Sequence, residues 1–164
     1  SFAANVGDLV NWPISFKQEW KLAVDTLKPM IGEIPYIIVP GNHDFNWWNY
    51  NYVSNLTSYK KYFGYNSIFF KNQTFLGGHK TGTTDLWCTF EACNNTFIVI
   101  GLEYEPSDSS LEWAQKVIDK HPGYPVIIVT HGYLGISKDN KTGQSYYKNK
   151  KYRYEFSCDT FYYL

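Results

Sequence analysis

Asn42, His43 and Asp44 stand in immediate succession, a carboxamide, an imidazole and a carboxylate placed just after a Pro40-Gly41 turn. An amide oxygen and an imidazole nitrogen are metal donors, and an imidazole held by a carboxylate is a common form of positioned general acid or base. Two further groups of this kind lie far away along the chain. Asp8 follows Gly7 and His131 follows Thr130, each just past a run of β-forming residues. Together these donors suit Mn, Fe or Zn. Each also has a plainer role: Asp8 as a polar turn residue, 42–44 as an Asx-type turn, His131 as a strand-end ring bonded to backbone. The metal reading requires that the fold bring all three stretches to one place.

The surrounding pattern supplies such a fold. "FAANV" (2–6) reads as a strand leading to Gly7-Asp8. A helix then opens at Ser15, with Gln18 at capping-box spacing; Phe16, Trp20, Ala23, Val24 and Leu27 repeat at helical intervals and Pro29 ends it. "YIIV" (36–39) is a continuous apolar run, the mark of a strand buried on both faces. A second unit repeats this plan: "FIVIGL" (97–102), a helix opening at Ser109 with Glu112 three residues on, and "VIIVT" (126–130). Strands alternating with helices predict an α/β fold with a mostly parallel sheet, whose strand C-termini share one edge. Asp8, Asn42-His43-Asp44 and His131 all fall at that edge. Between the units, "NLTSYKKYFG" predicts a short helix ended by Gly64, and "SIFF" and "TFLGG" predict short strands. After Thr130 a polar loop runs toward one more predicted strand.

"GDLVN" (7–11), "GNHD" (41–44) and "VTHGYL" (129–134) resemble, in order and spacing, successive motifs of the calcineurin-like metallophosphoesterases. "GNHD" after an apolar strand is a fairly specific signal; "GD" and "TH" alone are weak. The resemblance covers nearly the whole chain and looks most like the secreted branch. It implies a layered sandwich of mixed, largely parallel sheets flanked by helices. It also implies two metal ions, divalent or trivalent (Mn, Fe or Zn), clamping a small phosphorylated substrate and generating a bridging hydroxide. Asp8 would bridge the metals, Asn42 and His131 would ligate one of them, His43 would face the phosphate, and Asp44 would orient the His43 ring. Asn11 stands where the purple acid phosphatase branch needs a Tyr, and no Asp-Arg-Gly run follows as in the Ser/Thr protein phosphatases. The family's opening D-x-H and closing G-H-x-H motifs are not in these 164 residues. The expectation is therefore a single domain over 1–164, incomplete at both ends, with at most one partial metal site and no activity of its own. An inactive, glycosylated extracellular module that keeps the fold is the alternative.

Bulk properties narrow the partners. With 15 basic and 15 acidic residues the chain has no net field to steer polyanions, which disfavours nucleic acid. The "KNKKYRY" stretch (148–154) reads as a solvated hairpin. The chain's 15 Tyr, 11 Phe and 6 Trp argue for a packed domain or an aromatic-lined surface, and "NWWNYNY" (46–52) is open to either role. No apolar run approaches the roughly 18 residues of a membrane span. The first residue is Ser1, which predicts a processed or incomplete start. Sequons at Asn55, Asn72, Asn94 and Asn140 exceed the roughly two that chance supplies, and predict a secreted or lumenal glycoprotein. Cys88 and Cys93 could close a short bridge in an oxidising compartment, leaving Cys158 unpaired. His79, in a Gly-rich loop, and His121, at a helix C-terminus, are read as non-site residues.

Overall fold

The computed structural model describes residues 1–12, 17–48 and 51–132, without the side chains of 47–48 and 51–54. All of them belong to one compact unit, Ser1–Tyr133. The helix start at 15–16, the aromatic side chains of 47–52, Asn140, Cys158 and the basic-aromatic stretch 148–154 lie outside the described residues.

Both strand–helix–strand units are present, and both pair their strands parallel. Strand β1 (Ala3–Asn5) lies beside β2 (Tyr36–Ile38) in the register Ala3↔Tyr36 to Asn5↔Ile38, with helix α1 (Lys17–Leu27) between them in sequence. In the second unit, β7 (Asn95–Gly101) lies beside β8 (Val126–Val129), joined through α3 (Asp108–Asp119). The intervening segment adds antiparallel pairs. These are the hairpin β3 (Asn46–Trp48) with β4 (Asn51–Asn55), and β5 (Leu76–His79) and β6 (Leu86–Ala92) in the order β5-β6-β7-β8. The result is a mixed α/β architecture. The single shared sheet edge expected from the sequence is corrected: β1-β2 and β5–β8 are separate sheets, because β7 takes β6 as its other neighbour.

The two sheets approach each other at Gly101, where an added Cβ would stand 2.8 Å from both Ile37 Cδ1 and Val39 Cγ1. β7 is buried on both faces. Val99 joins the larger core with Tyr36, Ile37, Trp20, Tyr59, Phe63 and Cys88, while Ile98 and Ile100 pack with Ala114 and Val117 of α3. Each fully buried aliphatic of this kind contributes about 1.5–3 kcal/mol. The helical positions Ala23, Val24 and Leu27 pack against the larger core around buried Trp20, as their spacing predicts.

Several local expectations are corrected. α1 does end ahead of Pro29, at Leu27, but the chain continues through a 3-10 turn, Lys28–Met30, where the fixed φ of Pro29 is tolerated. The N-cap of α3 is Ser107, whose Oγ accepts from Ser110 N at 3.3 Å, not Ser109. "SIFF" is a turn: Phe70 N and Lys71 N both donate to Ser67 O, which lets the adjacent Phe69 and Phe70 both be buried. A strand would have sent them to opposite faces. "NLTSYKKYFG" does form a helix, α2 (Thr57–Phe63), ended at Gly64, and "TFLGG" overlaps β5. Cys88 and Cys93 are free. Cys88 is buried in β6 and Cys93 lies in the exposed β6–β7 turn. Five residues of extended chain separate their Cα atoms by about 16 Å, beyond the roughly 7 Å a disulfide allows.

Candidate metal centre

The strand ends of the two sheets meet at one place. His131 Nδ1 lies 2.6 Å from Val6 O, so this nitrogen carries the proton and donates to the end of β1. Its other nitrogen, Nε2, is 3.0 Å from Asn42 Oδ1 and 3.4 Å from Asp8 Oδ2. Asp8, Asn42 and His131 are thus brought together, from three strand ends, as their sequence positions predict. A neutral imidazole has one N–H, and here it is spent on Val6. Nε2 then faces two acceptor oxygens with a lone pair, an arrangement satisfied by a second proton or by a cation. Two oxygens and one nitrogen converging in this way are a fit for a borderline divalent metal. Among the described residues no group of three or more His, Cys, Asp or Glu could hold a metal, so Asn42 is needed to complete the set.

The loops that carry these groups cross in close contact, and two glycines permit it. A Cβ on Gly41 would lie 2.2 Å from Asp8 Oδ1 and 2.3 Å from Asp8 N. One on Gly7 would meet Gly41 N at 2.4 Å and His131 Nδ1 at 2.9 Å. Gly7 has φ +100°, and Asp8 itself is left-handed at φ +56°, a costly conformation for a side-chain-bearing residue. Within this crossing His43 N donates to Asp8 Oδ1 at 3.0 Å, which fixes the carboxylate that points its other oxygen at His131.

Asp44 does not orient the His43 ring, contrary to the sequence expectation. It is fully buried, accepting from Val10 N at 3.2 Å through Oδ1 and from Gly41 N at 2.8 Å through Oδ2. It therefore pins the 7–11 loop to the 41–44 turn. Burial raises its pKa to about 6; the backbone N–H groups of Gly41, Val10 and Leu9 oppose the rise and the Asp8 charge adds to it. His43 is exposed, with Nδ1 3.4 Å from Asn11 O. Glu19, in the first turn of α1, accepts from Asn11 N and Trp12 N at 2.7 and 2.8 Å and ties the far side of the loop. Sequence reasoning missed Glu19, although an acidic residue in a helix's first turn was a visible signal. A cleft of about 490 Å³ opens beside Asp8, Asn11 and His43, walled by Leu22 and Ala23 of α1.

A family model described as calcineurin-like phosphoesterase matches residues 2–161. The chain belongs to the calcineurin-like phosphoesterase family. Metal-dependent hydrolysis of phosphate esters is that family's general chemistry, and its members generally use divalent metals. A Bacillus subtilis (strain 168) protein described as "Uncharacterized protein YvnB" is 26% identical over 137 residues. That match covers 83% of this chain but 10% of the relative, so the chain spans about a tenth of that protein's length. The glycines of "GD" and "GNHD" have a steric reason: the crossing leaves no room for a side chain at either.

Proposed function

We propose that the full-length protein hydrolyses a phosphomonoester or phosphodiester of a small molecule at a dinuclear centre, to which this chain would contribute Asp8 as the shared ligand and Asn42 and His131 as ligands of one ion. The observation that carries this is the convergence of Asp8 Oδ2, Asn42 Oδ1 and His131 Nε2. Bound Mn, Fe or Zn ions in such a centre supply Lewis-acid charge to phosphoryl oxygens and a water acidic enough to attack at neutral pH. The chain's own residues do the rest. His131 is held in one tautomer by Val6 O, and Asp8 is aimed by His43 N. The exposed His43 ring lines the cleft, and in this reading it would donate a proton to the leaving oxygen. Among the described residues that line the cleft, Asp8 and Glu19 are acidic.

We also propose a secreted or lumenal setting with N-glycans. Asn55, Asn72 and Asn94 are exposed, and Asn72 and Asn94 sit in tight left-handed positions open to solvent. The second reading, a fold retained for binding alone, draws support from the small donor set, which has only two ionisable ligands.

The test is hydrolysis of an aryl phosphate by the full-length protein with and without added Mn²⁺. His43→Ala should lower kcat by about 10²-fold or more while bound metal, measured by atomic absorption, is unchanged. Activity retained in that variant removes His43 from the chemistry, and absence of any metal-dependent turnover in the parent favours the binding module.

A further inference from the structure

We propose that Tyr104, just past β7, is the positioning residue that holds His131 in ligating orientation; this rests on the metal reading of the Asp8–Asn42–His131 cluster. The Nδ1–H to Val6 bond fixes one direction in the plane of the His131 ring but leaves rotation about that direction open. Tyr104 limits it: its ring packs on His131 at 5.8 Å between centroids and 54° between planes. It can do so because the next residue is Gly132, where an added Cβ would meet Tyr104 Cε2 at 2.5 Å and Cδ2 at 3.0 Å.

The same ring reaches the other loop of the site. Phe45, adjoining Asp44, packs edge-on against Tyr104 at 6.0 Å and 71°. Tyr104 therefore bridges the turn that carries Asn42 and the strand end that carries His131. Its own place is fixed through Glu103. Glu103 N donates to the buried Asp85 Oδ1 at 2.8 Å, and Glu103 O accepts from Thr130 Oγ1 at 3.1 Å, one residue before His131. Edge-to-face and tilted contacts are preferred relative orientations of ring pairs, and a held orientation is what a metal-ligating ring needs from its surroundings.

The experiment is a Mn²⁺ titration of the full-length protein, followed by electron paramagnetic resonance of free Mn²⁺, on Tyr104→Ala, Tyr104→Phe and Gly132→Ala. Alongside it, the Nδ1–H proton of His131 is followed by NMR in the metal-free state, and melting is recorded for each variant. Tyr104→Ala and Gly132→Ala should each weaken Mn²⁺ about tenfold and broaden the Nδ1–H signal, while Tyr104→Phe, which keeps the ring, stays within twofold of the parent. If Tyr104→Ala unfolds, Gly132→Ala and Tyr104→Phe still decide the matter. Parent-like affinity and an unchanged Nδ1–H signal in the folded Ala variants overturn the proposal, even if their melting temperature falls. A parent that binds no Mn²⁺, with the Nδ1–H signal lost in Tyr104→Ala, upholds the positioning role and overturns the metal reading instead.

Discussion

The two strand–helix–strand units share a plan but finish their strands differently. In the first, β1 and β2 end in loops that cross at Gly7 and Gly41, and a buried carboxylate, Asp44, staples one to the other through Val10 N and Gly41 N. The second unit also has a buried carboxylate beside the end of β7, supplied by Asp85 of the intervening segment. Asp85 accepts from Glu103 N, Ser110 Oγ and Thr83 Oγ1, with Lys80 Nζ 3.9 Å away. Burial raises the pKa of both acids. Asp44 tightens a loop whose next neighbours are the proposed metal donors, whereas Asp85 anchors β6, the β7 exit and α3 to each other. The same device thus serves a site in one unit and a scaffold in the other. What separates them is whether the polar groups left over point at one another across the sheets or are consumed locally.

Gly41→Ala strikes the first unit hardest. Its Cβ meets backbone and not the end of a flexible side chain, so the loops must part; folding stability should fall by about 4 kcal/mol in urea denaturation, with Mn²⁺ binding lost. A mild change in both would show that the crossing is looser than it looks.

The pH dependence of the metal-free protein comes next. Because the folded-state pKa of Asp44 lies above the ordinary carboxyl value, the folded chain holds this proton more tightly than the unfolded one. That contribution is complete below about pH 4 and is lost as pH rises through about 6, a decline of about 3 kcal/mol. Asp85 adds a decline of the same sign. Asp44→Asn should flatten the curve in this window, and an unflattened curve would assign the dependence to other groups.

Asp85→Asn probes the second unit. It keeps an amide oxygen to accept from Glu103 N, and so the placement of Tyr104, but loses the acceptor oxygen shared by Ser110 and Thr83; it should cost about 2 kcal/mol while Mn²⁺ affinity stays within twofold. A large loss of affinity would merge the two units into one functional network. Smallest is Ser107→Ala, which removes the α3 cap and should cost about 1 kcal/mol in the same denaturation assay, with no effect at the site.

What the sequence disclosed follows the same division. Apolar runs ending in Gly-Asp, Gly-Asn-His-Asp and Thr-His announce strands and their polar ends, because periodicity and turn chemistry are local. The convergence of Asp8, Asn42 and His131 followed from placing those ends on parallel units. The duty of Asp44 was hidden, since burial and a backbone partner 34 positions away, Val10, leave no trace in neighbouring residues. Tyr104 was hidden for a similar reason: one aromatic in a short loop has no period, and only the Gly132 gap reveals its use. The α3 cap was misplaced because Ser107, Ser109 and Ser110 offer similar side chains, and backbone angles choose among them. "SIFF" misled because β-forming residues were needed there for volume.

The bond from His131 to Val6 spans 125 positions of the chain. Such a link gains nothing until both sheets have docked, since closing so long a loop must precede any reward for it. In a refolding experiment the ring should acquire its partner in the last phase, well after the β6–β7 hairpin has formed. A cation added at the outset then encounters only scattered side chains, and its binding registers arrival at the native state without hastening the journey there.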